Sequence, residues 1–89
     1  MKPARYMRRH ASVDALVFDG TRGSALAIVE WLGVAVVRAY DEVEHTLTLA
    51  AGDMLSVVPA GQYVVQLISL GYVFPIRPDA FERLYETVS

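Results

Sequence analysis

The sequence predicts an α+β fold: a small antiparallel or mixed sheet of about five strands, with one helix after the first strand and one at the C-terminus. Two observations carry this. Apolar residues alternate with period two in several short runs, and follow the i, i+3, i+4, i+7 spacing in two others. Glycine and proline separate these runs at intervals short enough for hairpins, so strands outnumber helices and pair with their neighbours.

Residues 12–18 read as the first strand. Val13, Ala15 and Val17 share one face, and Leu16 and Phe18 share the other. Both faces are apolar, which places this strand centrally. Asp19-Gly20-Thr21 forms a turn. Residues 24–32 read as a helix, capped by Thr21 or Ser24. Its buried stripe is Ala25, Ile28, Val29 and Leu32, flanked by Trp31, and Gly33 stands at its C-terminal stop.

Residues 34–40 are β-branched and predict a strand. Asp41-Glu42 is the expected hairpin turn. Residues 43–49 alternate, with Val43, His45, Leu47 and Leu49 pointing inward. A turn at Ala51-Gly52-Asp53 leads to a short strand over 54–58. After Pro59-Ala60-Gly61, residues 63–70 read as a strand apolar on both faces, with 72–74 continuing beyond Gly71. Residues 75–78 are expected as an irregular bridge, because proline cannot donate to a ladder. Pro78 and Asp79 suit the start of a second helix, with Phe81, Leu84, Tyr85 and Val88 as its apolar stripe.

Eighty-nine residues fit a single domain, expected over 11–89, preceded by a basic N-terminal arm over 1–10. The arm gathers Lys2, Arg5, Arg8, Arg9 and His10. The hydrophobic fraction is 54%, high for so short a chain, which points either to a dense core or to a face covered by a partner or a second copy, with self-association favoured. The net charge of −2 disfavours a bulk polyanion binder. There are no cysteines, so neither a disulfide framework nor thiolate chemistry is available, and a reducing cytoplasm is expected. No secretory leader and no membrane span are expected.

The search for chemistry returns no constellation. Leu16-Val17-Phe18-Asp19-Gly20-Thr21 looks like the end of a haloacid-dehalogenase-type motif, yet Val17 stands where the nucleophilic aspartate would be. His45 has no second histidine or cysteine at ligand spacing. Asp41, Glu42 and Glu44 lack the order of a calcium loop. Tyr63, Tyr72, Phe74, Phe81 and Tyr85 could stack bases, but no lysine or arginine lies between Arg38 and Arg77. A core seam explains them better. No metal, cofactor or catalytic residue is therefore expected.

From Gly52 onward the chain resembles small proteins encoded by phages and prophages. Gly52-Asp53-Met54 matches their first element, Pro59-Ala60-Gly61-Gln62-Tyr63-Val64-Val65 resembles the second, and the run from Gly71 to Phe81 resembles the third. Tyr85-Glu86 matches the close. Gln62 replaces the family's aspartate and Arg77 its lysine, and the spacing from Gly61 to Gly71 is one residue longer. The resemblance implies a phage or prophage origin and carries over no catalytic residue.

Three functions remain as expectations. The first is a phage accessory protein that binds another protein, with a bacterial host protein as a candidate partner, in the host cytoplasm and as a homo-oligomer. Trp31, Tyr40 and Tyr72 are its expected contacts. The second is a nucleic-acid-binding module using Lys2, Arg5, Arg8 and Arg9. The third is a small-molecule binder with Tyr63 and His45 beside a pocket.

Overall fold

The computed structural model describes residues 3–8, 11–51, 53–68 and 71–87. Among them are eight strands and two helices, in the order β1 (Ala4–Arg8), β2 (Ala11–Val17), α1 (Arg22–Leu32), β3 (Val37–Asp41), β4 (Thr46–Ala51), β5 (Met54–Pro59), β6 (Tyr63–Leu67), β7 (Val73–Ile76), α2 (Pro78–Leu84) and β8 (Glu86–Thr87). The α+β class holds, but the single sheet expected is two: a five-stranded sheet ordered β7-β6-β2-β1-β8 and a three-stranded sheet ordered β3-β4-β5. Every pairing is antiparallel.

β2 and β6 of the five-stranded sheet are covered on both faces, which is why both strands carry apolar residues in both phases. On one face Leu16, Val64 and Val73 join Ala25 and Ile28 of α1 and Leu47, Leu49 and Val58 of the small sheet in the larger core. On the other, Val13, Ala15 and Val65 pack against Phe81 of α2. The register follows this division: Leu16 stands opposite Val64, and Ala15 opposite Val65. β2, read as central, is the third of five strands.

Four local expectations are corrected. Residues 4–8 of the stretch read as a basic arm enter the sheet, because the β1 backbone finds partners in β2 on one side and β8 on the other. The third strand begins at Val37 rather than Val34, since the Val36 and Val37 amides both donate to Gly33 O and close a turn after the helix. The second helix ends at Leu84, and the chain returns to extended conformation at Tyr85 to pair β8 with β1. Leu84 is consequently exposed, and Val88 lies outside the described residues.

Pro75 is the fourth. Expected in an irregular bridge, it belongs to β7, opposite Val64. The Leu67 amide donates to Tyr72 O at 2.8 Å. Bonded and non-bonded pairs alternate along an antiparallel ladder, so Val65–Phe74 is bonded and Val64–Pro75 is not. The imide nitrogen of Pro75 therefore faces away from β6. β7 ends the sheet, so the missing donor leaves no ladder bond unmade.

Candidate functional site

Among the described residues, a connected group of polar side chains lies where β2 turns into α1. Thr21 is the N-cap, and its Oγ1 accepts from the Ser24 amide at 3.1 Å. Asp19 Oδ1 accepts from the Thr21 amide at 2.9 Å and from the Thr21 hydroxyl. Buried Ser24 accepts from the Asp19 amide and donates to Val17 O, both at 3.1 Å. Gly20 O accepts two bonds, from the Tyr40 hydroxyl at 2.9 Å and from His45 Nδ1 at 3.2 Å. A carbonyl only accepts, so Nδ1 of His45 carries the proton. The bonds of Asp19, Thr21 and Ser24 thus hold the β2–α1 turn, and the two bonds to Gly20 O join that turn to the β3–β4 hairpin.

The hydrogen bonds from Thr21, side chain first and backbone second, hold the Asp19 carboxyl below its ordinary pKa. A carboxylate lowered by folding contributes stability above its unfolded pKa of about 4, and that contribution is lost as pH falls through the lowered folded value. We predict that Thr21→Ala raises the Asp19 pKa toward the ordinary range, read by side-chain NMR titration. The same change removes the cap and lowers stability by about 1 kcal/mol in urea unfolding. An unmoved Asp19 titration in the variant would refute this assignment.

The structure places His45 and the acids of the β3–β4 connection differently from the sequence reading. His45 was expected to point inward from a strand, but it lies in the turn before β4 with φ 57° and is exposed. Val43, expected inward with it, is 83% exposed. The reason is Asp41, whose Oδ1 accepts from the Val43 and Glu44 amides and curls the chain before the strand begins. Glu42 pairs with Arg22 on α1, both exposed. Among the described residues, no group of His, Cys, Asp and Glu is placed to hold a metal ion. Nor is any described helix long and apolar enough to cross a membrane.

The expected contact residues separate. Trp31 is half-buried and packs against the larger core. Tyr40 is half-buried too, with its ring edge-on to Phe18 at 6.1 Å and its hydroxyl engaged by Gly20. Only Tyr72 is displayed, at 65% exposure. Of the basic residues, Lys2, Arg9 and His10 lie outside the described residues. Arg5 and Arg8 lie within β1. Tyr63 stacks on Phe81 at 3.9 Å, and His45 sits against Gly20, so the two are engaged in separate packing.

A different surface emerges on the small sheet. Leu47 and Leu49 of β4 are buried, so Thr48 and Ala50 take the outer phase. Thr48 stands between Ala39 of β3 and Val57 of β5, and Ala50 stands opposite Leu55. Leu55 and Val57 are 64% and 58% exposed. This outer face is apolar and hydroxylic, with Asp41 at its corner opposite Thr46. The signal was legible in Met54-Leu55-Ser56-Val57-Val58, an uncharged run apolar in both phases, where a half-solvated strand would alternate.

Comparison with protein-family models, with curated proteins and with solved structures found no match for this chain.

Proposed function

We propose that this chain is a non-enzymatic binding protein whose contact surface is the outer face of the β3-β4-β5 sheet. The observation that carries the reading is the pair Leu55 and Val57, displayed beside Thr48 and Ala50. Large apolar side chains gathered on one face mark an interaction site more often than scattered ones do. The engagement of Asp19, Ser24, Tyr40 and His45 in capping and packing supports a role without catalysis. The resemblance adds a phage or prophage origin, and with it a bacterial host protein as partner and the host cytoplasm as location. Nucleic-acid binding through Lys2, Arg5, Arg8 and Arg9 is the weaker reading, because the net charge is −2 and no lysine or arginine lies between Arg38 and Arg77 to neutralise phosphate.

The test is site-specific photo-crosslinking in bacterial cells, with the reactive group at Thr48 or at exposed Glu30 on α1. A discrete adduct with another protein is expected from position 48. It should be absent from position 30 and suppressed by Leu55→Lys. No adduct, or the same pattern from both positions, would overturn the reading.

A further inference from the structure

The two ends of the small sheet are built differently. β3 ends one side, and its register shifts between Val37 and Ala39 at exposed Arg38, with Asp41 at its end. A bulge and charges of this kind protect an edge against pairing with another chain. β5 ends the other side, and Met54-Leu55-Ser56-Val57-Val58-Pro59 contains no charged residue.

Bonding along β5 can be followed from its hairpin. Ala51 pairs with Met54 across a two-residue connection, which closes on a bonded pair. Alternation then directs the backbone groups of Met54, Ser56 and Val58 toward β4, and those of Leu55 and Val57 toward the open edge. Pro59 shares their direction but has no N–H to offer.

We propose that β5 pairs with β5 of a second copy of this chain, antiparallel and centred on Ser56, to form one six-stranded sheet across a two-fold axis. Centring on Ser56 sets Leu55 opposite Val57 of the other copy twice, so that four outward backbone bonds form. Centring on Val57 would set Leu55 opposite Pro59 and lose donors. The same register sets Asp53 opposite Pro59 and keeps the two aspartates about six residues, roughly 20 Å, apart. The strand is thus complementary to itself in hydrogen bonding, charge and apolar pairing. This rests on the contact surface proposed above and names one occupant at its margin: pairing would join two of those faces side by side.

An edge pair is smaller than the roughly 1,000 Å² of a firm interface, so association should be concentration-dependent between about 10 µM and 1 mM. Sedimentation velocity of the purified chain is expected to shift from the mass of one chain toward two over that range. Val57→Pro removes only an N–H aimed at the second copy, as Pro75 does at the edge of the other sheet, and should hold the protein at one chain. Ser56→Cys, in a chain without cysteine, should give a disulfide-linked dimer under mild oxidation, because the register sets residue 56 against itself in a non-bonded pair. Thr48→Lys changes the face and not the edge, so it should still self-associate. A constant single-chain mass up to 1 mM, or a Val57→Pro variant that associates like the parent, overturns the proposal. Those results leave the crosslinking test at Thr48 unaffected, so the two readings fail separately.

Discussion

Phe81→Ala is expected to lower the unfolding free energy by about 3–5 kcal/mol. Small domains hold roughly 5–15 kcal/mol in total, so this variant approaches the limit of folding. The size of the effect follows from what α2 offers. It is a seven-residue helix, too short to persist without tertiary packing, and Phe81 is its buried residue. The ring lies between Tyr63 at 3.9 Å and Tyr85 at 4.9 Å, nearly parallel to both. Beneath it are Val13, Ala15 and Val65 of the five-stranded sheet. Removing the ring leaves a void bounded by two tyrosines and the sheet, and it unlinks α2 from the strands.

The segment after α2 should follow. β8 is two residues long and reaches β1 through Tyr6–Thr87 and Met7–Glu86 pairing. Its position depends on where α2 ends. Amide exchange in Phe81→Ala should therefore accelerate in α2 and at the β1–β8 pairing before it does in β2 and β6. Urea unfolding gives the total loss. A change below about 1 kcal/mol, a magnitude ordinary for an average substitution, would mean that α2 is not held through this ring.

How much of this was legible in the sequence depends on the range of the interaction concerned. The C-terminal boundary of α1 was readable because its cause is local: Gly33, with φ 88°, ends the helix where expected; the helix starts at Arg22, two residues before the expected Ser24, because Thr21 rather than Ser24 is the cap. The central position of β2 was readable because burial on two faces requires apolar residues in both phases. The second sheet was not. Nothing in residues 37–59 reveals that these strands pair only among themselves and pack across α1 and β6. The strand character of residues 4–8 was hidden by their arginines, since charge there suggested an arm while the pairing that holds it comes from residues 11–15 and 86–87. The contact surface was misplaced for a related reason. Aromatic type suggested Trp31 and Tyr40, but whether a ring faces solvent is decided by the core it meets, and both meet the larger core.

Gly20→Ala is expected to destabilise the fold by about 2–6 kcal/mol, through two separable causes. Gly20 has φ 90°, where an L-residue carries a penalty of roughly 1–3 kcal/mol. A Cβ at this position would also lie 2.9 Å from the Ala60 Cβ and 3.3 Å from the His45 Cβ. These neighbours are stiff, because both belong to tight turns, so relief requires backbone movement costing about 1–3 kcal/mol more. Such movement would disturb Gly20 O, the shared acceptor for Tyr40 and His45, and hence the junction of α1 with the β3–β4 hairpin. Gly61 supplies the control. Its φ is 96°, but a Cβ there meets nothing within 4 Å, so Gly61→Ala should cost only the backbone share. Ala60→Gly placed in the Gly20→Ala background removes the closest contact and should recover part of the loss. Urea unfolding of these variants forms a cycle in which the steric share appears as coupling between positions 20 and 60. Equal losses in Gly20→Ala and Gly61→Ala, with no recovery from Ala60→Gly, would show that the close approach of the two turns does not constrain the fold.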